Sequence, residues 1–162
     1  MPVVIEIVTV VDAPATVVFD LELDVDVHAA SLAGSGETAT TSTGRRRLGP
    51  DDEVTFSARH LGRRWCMTSR VTAYERPHRF VDEQVRGPFR TLRHEHLFEA
   101  LSAQRTRMTD RMGITAPAGP LGTAVTHLLL APYLRRLLRQ RAAHVKHAAE
   151  AGDGCSCDRR PG

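Results

Sequence analysis

The chain has 162 residues, enough for one domain, and its 41% hydrophobic and 25% charged residues exclude a disordered, collagen-like or coiled-coil chain. Of its 22 basic residues only Lys146 is a lysine; the arginines are interspersed with 19 acids and the net charge is only +3, so nucleic acid is not an expected partner. The opening MPVVIEIVTV lacks a cationic leader and reaches Glu6 too soon for a signal-peptide core, and no apolar run approaches the roughly 20 residues of a membrane span. A cytoplasmic protein with no membrane insertion is the expectation.

Val3, Ile5 and Val8 to Val11 form a β-branched opening strand, closed at Asp12-Ala13-Pro14, where Asp12 can cap and Pro14 can start a helix. From Ala15 to about Leu32 the helical pattern is broken by Asp20, Glu22, Asp24 and Asp26, which predicts two short helices. After Gly34-Ser35-Gly36 the composition turns to β, with runs over Thr38 to Gly44, Glu53 to Leu61, Arg64 to Glu75, Arg79 to Arg86, Phe89 to Leu101 and Arg105 to Ala116. The connectors are short and rich in Gly, Pro and Asp, so the six runs should form consecutive antiparallel hairpins. The hairpin end Arg45-Arg46-Arg47 is read as solvated, although three cations there could receive an anion or a carrier-protein phosphopantetheine.

From Leu121 onward Leu128, Leu134, Leu138 and Val145 recur at helical spacing, with Arg135, Arg136, Arg139 and Arg141 assigned to the water face of one long helix that Pro132 should kink near Ala131. Residues 1–150 are thus one α+β domain, and 151–162 a disordered tail. In that tail the C-x-C of Cys155 and Cys157 lacks a further soft ligand nearby, and with Cys66 in a strand the odd count gives no disulfide framework. No P-loop, dinucleotide glycine fingerprint, nucleophile elbow or zinc-ribbon spacing is present.

Several strings then point to a family. Residues 13–20, APATVVFD, open the first helix; residues 80–84, FVDEQ, run through Gly87-Pro88-Phe89; residues 94–99 read HEHLFE; and residues 106–110, TRMTD, precede the Pro120 segment. Over Val3 to about Ala149 the chain resembles the START-like, helix-grip superfamily (SRPBCC), which holds polyketide cyclases and aromatases, lipid-transfer domains and ligand-binding allergens. The resemblance implies a helix-grip fold: a curved seven-strand antiparallel sheet wrapped on a long C-terminal helix, with two short helices after the first strand. It also implies an internal chamber for a hydrophobic, polyketide-like or aromatic molecule. It implies no cofactor, and leaves an acyl carrier protein and a homodimer open as partners.

Strand alternation places Leu92, His94, His96 and Phe98 on one face of the sixth strand, and Met108, Asp110, Met112 and Ile114 on one face of the seventh. A hairpin closing symmetrically about Ala103 sets residue 96 opposite 110; one two residues tighter sets 94 opposite 110. Either way His94, His96 and Asp110 form a polar island in an apolar chamber, the residue types that general acid and base chemistry requires. These three are the candidate catalytic residues for cyclase or dehydratase chemistry. The competing reading is a satisfied buried network in a non-catalytic carrier, sensor or sequestering protein. H-x-H plus one Asp would also supply three metal ligands, yet no metal is expected. Strand five leaves two options: a two-residue Gly87-Pro88 turn faces Glu83 inward, and a three-residue loop faces Asp82 inward. Trp65, Met67, Leu92, Phe98, Met108, Met112 and His28 complete the expected ligand contacts.

Overall fold

In a computed structural model that describes residues 2–117 and 119–153, the β-branched start of the chain is β1 (Val3–Val11), whose alternate residues Val3, Ile5 and Ile7 are buried. Two short helices follow, α1 (Ala15–Glu22) and α2 (Val25–Ser31). Asp12 does not cap α1: Pro14 holds the cap position without a side-chain bond, and the Asp12 amide donates to Glu150 at 3.0 Å. Asp24 caps α2, accepting from the amides of Asp26 and Val27.

The six remaining strands are β2 (Thr38–Thr41), β3 (Glu53–His60), β4 (Arg63–Glu75), β5 (Arg79–Arg86), β6 (Thr91–Ser102) and β7 (Arg105–Thr115). They form one antiparallel sheet in the order β1-β7-β6-β5-β4-β3-β2. The β2 strand ends three residues before the expected Gly44, because the chain from Arg45 to Leu48 turns to the helices instead. Arg46 Nε lies 2.8 Å from Asp24 and 3.1 Å from Asp26, and Arg47 lies 3.1 Å from Asp20. Arg46 and Arg47 therefore pair with acids of α1 and α2 while staying solvated as expected, their side chains 64% and 56% exposed.

A helix α3 (Gly119–Val125), a π turn over Thr126–Leu130 and the long α4 (Ala131–Asp153) complete the chain. Pro132 has no amide to offer the Leu128 carbonyl, and the wider π turn sits where that bond fails, as the expected break near Ala131 requires. Leu138, Ala142, Val145 and Ala149 give α4 a buried stripe with spacings of four, three and four. Phe19 of α1 packs edge-on against Tyr74, Phe80 and Phe98 at 5.3–5.5 Å, locking the short helix to the sheet. No helix among the described residues is long and apolar enough to cross a membrane. The α4 helix continues past residue 150 to Asp153, and Cys155 and Cys157 lie outside the described residues.

Candidate functional site

Because β4 turns alternate residues to the concave side, Trp65, Met67, Ser69 and Val71 line a cavity between the sheet and α4. Leu92 and His94 of β6, Met112 of β7, His28 and Leu32 of the α2 region, and Leu134, Leu138 and Arg141 of α4 close it. Its volume of about 390 Å³ falls within the roughly 300–1,000 Å³ of small-molecule sites. Its mouth lies at the end of the sheet where Leu61, Pro88, Phe89, Pro117, Leu130 and Tyr133 meet. There His60 Nδ1 and the Tyr133 hydroxyl are hydrogen-bonded at 2.7 Å, tying β3 to α4 across the rim.

The β6–β7 hairpin adopts the symmetric register, His96 opposite Asp110. On the other side of β6, Phe80 faces His96 and Asp82 faces His94. Four residues, 87–90, join the strands, neither of the two expected loop lengths, but the register and the cavity lining make Asp82 the inward carboxylate of β5. Gln84 holds the loop, its amide nitrogen donating to the Phe89 carbonyl at 2.8 Å. Glu83 points out and lies 3.6 Å from Arg93.

The polar residues form a chain across the interior. His96 Nδ1 lies 2.9 Å from Asp110 Oδ1 and its Nε2 lies 3.2 Å from Asp82 Oδ2. His94 Nε2 is 3.4 Å from the same Asp110 oxygen, and its Nδ1 is 4.0 Å from Asp82. Glu22, at the end of α1, lies 3.7 Å from His96 and binds Arg141 of α4 at 2.5 Å. His28 stacks on Phe56 at 4.1 Å and meets Glu37 at 3.2 Å.

Each environment sets a protonation state. Burial alone would lower His96, but Asp110 and Asp82 together raise it to about 9, so it is an imidazolium at neutral pH. Burial would raise both carboxyls, yet the two imidazoles hold Asp110 and Asp82 below the usual carboxylate range. His94 is lowered, by burial first and by the neighbouring His96 cation second, and is neutral. His28 is pushed well down by burial and by Arg141. Burial raises Glu22, and lifts Glu37 to about 7.

The expected trio is thus assembled, but its members are not equivalent. His94 and Asp82 reach the cavity wall; His96 and Asp110 stand behind them, fully enclosed. Phe98 and Met108, expected as ligand contacts, are also behind the wall, because both pack into the cluster around Phe19 and β1. Trp65 sits at the lip, 37% exposed, with its indole nitrogen donating to the His60 carbonyl. His28 lines the cavity from the middle of α2, as expected of a ligand contact. Arg141, assigned to the water face, is 8% exposed and lines the cavity. Glu22 and Arg141 are cavity-lining residues that the sequence reading missed. Their signal was present: Glu22 follows the buried Val18 and Phe19 by four and three residues, and Arg141 shares the stripe of Leu134, Leu138 and Val145. Two donor sets, Asp82-His94-His96 and Glu22-His96-Asp110, have ligand atoms within 4.8 Å of one another; in them Asp82 and Asp110 face His96, and Glu22 is held by Arg141.

Fold and cavity together define a helix-grip protein with an internal chamber. The chain belongs to the family described as "Polyketide cyclase / dehydrase and lipid transport", whose model matches residues 2–150. Among solved structures, it is similar to the Zhui aromatase/cyclase from Streptomyces sp. R1128, at 18% identity, TM-score 0.72, covering 98% of this chain and 100% of that one. A Thalictrum flavum norcoclaurine synthase matches at 10% identity and TM-score 0.74, covering 94% and 97%. A START superfamily protein from Mycobacterium smegmatis matches at 12% identity and TM-score 0.65, covering 91% and 97%. At these identities the likeness establishes the fold alone. No curated protein matches the chain.

Proposed function

We propose that the chain binds a hydrophobic, polyketide-like or aromatic small molecule in this cavity and acts on it as a cyclase or dehydratase, with His94 as the acid–base residue. The observation that carries the reading is a neutral imidazole on the cavity wall with a carboxylate on each side. Ionised Asp110 beside His94 Nε2 favours the tautomer protonated there, which leaves Nδ1 as the acceptor on the Asp82 side. A proton taken from an acidic carbon would then rest on an imidazolium between two carboxylates. Returning it to a departing hydroxyl completes an aldol dehydration with no net proton change.

The other polar groups of the wall suit an oxygenated ligand rather than a plain hydrocarbon. Arg141 Nε and Ser69 Oγ are buried without a protein partner, and both residues line the cavity. Arg141 would donate to a carbonyl or to the enolate it becomes, where a fixed cation in an apolar chamber is most effective. An acyl carrier protein is a compatible means of delivering such a substrate.

The test starts by identifying the molecule that co-purifies with the protein, by native mass spectrometry and extraction, and supplying it back. His94→Ala should retain ligand affinity while turnover falls by at least about a hundredfold, the size of a lost acid or base. Asp82→Asn should fall less, since it stabilises the cation without carrying the proton. Turnover equal to wild type in His94→Ala removes the enzymatic reading.

One observation favours a second reading, a non-catalytic carrier, sensor or sequestering protein. His96 and Asp110 form a 2.9 Å charge contact behind the cavity wall, out of reach of any ligand, so much of the polar island needs no chemical role. In that case the extracted ligand is returned unchanged by wild type, and His94→Ala shifts affinity alone.

A further inference from the structure

The cavity mouth is surrounded by apolar side chains that the fold leaves in the open. On α3 and the π turn, Leu121 is 74% exposed, Leu128 75% and Leu129 71%, and at the β3–β4 tip across the mouth Leu61 is 77% exposed. The Tyr133–His60 bond and the shared cavity wall place these segments side by side. Leu121, Leu128 and Leu129 do not line the cavity, and Leu61 lines it beside Tyr133 at the mouth.

The charges sort the same way. The arginines of the sheet's centre, of β1's neighbours and of the α1–α2 side hold carboxylates. Arg45 aside, the described arginines without one belong to the mouth-end segments and to α4. Arg59, Arg63 and Arg64 are at the β3–β4 tip, Arg86 and Arg90 flank the β5–β6 loop, and Arg135, Arg136 and Arg139 are on α4. No Asp or Glu occurs in 54–74, 84–94 or 111–149, stretches that include the β3–β4 tip, the β5–β6 loop, α3 and the start of α4. Arginines without a carboxylate partner thus share the mouth-end segments and the start of α4 with the exposed leucines.

We propose that the mouth end docks on an anionic lipid bilayer, with Leu61, Leu121, Leu128 and Leu129 entering the acyl boundary and these arginines meeting lipid phosphates. A second copy of the chain would bring its own unpaired arginines against these, a repulsion that nothing at this end relieves. An acidic carrier protein would satisfy the arginines but leave four leucines without a matching apolar layer. An anionic bilayer supplies both at once, in the arrangement of an interfacial anchor. Docked this way, the cavity opens onto the membrane, and a lipophilic ligand passes between chamber and bilayer without crossing water.

Co-sedimentation with vesicles of phosphatidylcholine alone and of phosphatidylcholine with phosphatidylglycerol tests this. The protein should partition to the anionic vesicles only, and should leave them as salt approaches about 1 M, where the screening length falls to about 3 Å. Arg63→Ser with Arg64→Ser should weaken partitioning roughly 25-fold, at about fivefold per cation. Leu128→Ser with Leu129→Ser should weaken it at least about tenfold. Both pairs are exposed, so the thermal midpoint should not move, which separates lost docking from lost fold. Failure to bind anionic vesicles, or binding unchanged by the leucine pair, overturns the proposal. So does a concentration-dependent dimer, or a complex with an acidic carrier protein, that the leucine pair abolishes while vesicle binding is absent.

Discussion

Replacing Arg141 with methionine is expected to destabilise the protein by about 3–5 kcal/mol, the scale for breaking a buried ion pair from one side. The Glu22 side chain has no exposure, and Arg141 is the cation within hydrogen-bond reach, at 2.5 Å. Without it Glu22 either stays ionised in a desolvated site or takes a proton. Protonating a carboxyl of ordinary pKa near 4.5 at pH 7 costs about 3 kcal/mol at 1.36 kcal/mol per unit, so neither escape is cheap. Arg141 also donates to the Glu22 backbone carbonyl at 3.3 Å, so the end of α1 loses its tie to α4. Against a typical domain stability of about 5–15 kcal/mol this is a large share. Glu22→Leu combined with Arg141→Met removes both charges together and should recover most of the loss. Urea unfolding of the two single variants and the double at pH 7 measures the coupling, and strictly additive losses would show that the pair is not the unit described.

The contrast between what the sequence disclosed and what it hid follows from how far apart the deciding atoms are. The partnership of His96 with Asp110 was legible because strand alternation and one short turn determine it. The β5–β6 register was not, because a Gly-Pro turn does not determine how many residues the connection takes, and the loop of residues 87–90 is held by a Gln84 side chain gripping the Phe89 backbone. His94 and His96 look equivalent as H-x-H, yet one reaches the cavity and the other is enclosed by Phe80, stacked on its ring at 4.1 Å. Arg141 was read by residue type, although its spacing from Leu134, Leu138 and Val145 placed it on the buried stripe. An arginine on an apolar stripe is informative because a buried cation implies a buried anion. The anion, Glu22, is 119 residues away, beyond the reach of local pattern.

Between about pH 6.5 and 9 the protein should lose about 3 kcal/mol of stability through His96. Its folded pKa of about 9 lies above the ordinary 6.5, so the folded state binds the proton more tightly than the unfolded one, and the contribution is complete below 6.5 and vanishes as pH rises through 9. The groups facing it are Asp82 from β5, Asp110 from β7, Glu22 from α1 and His94 on its own strand, with Arg141 of α4 behind Glu22. On the acid side the signs reverse. Asp110 and Asp82 are depressed, so the stability they carry exists above the ordinary carboxylate range and falls away as acid protonates them. His94 and His28, held neutral by burial, add to that loss below about pH 6.5, because there the unfolded chain gains protons that the folded one resists. Glu37, raised from 4.5 to about 7, loses its contribution between those two values as it ionises in its buried site, largely before His96 titrates. Comparing urea unfolding at pH 7 and above pH 9 in wild type and in His96→Gln isolates the alkaline limb: the part of the loss that disappears in the variant belongs to His96. An alkaline limb of the same depth in both proteins would mean that the imidazole between Asp82 and Asp110 carries no held proton, and the charge pattern behind the cavity wall would then have to be redrawn.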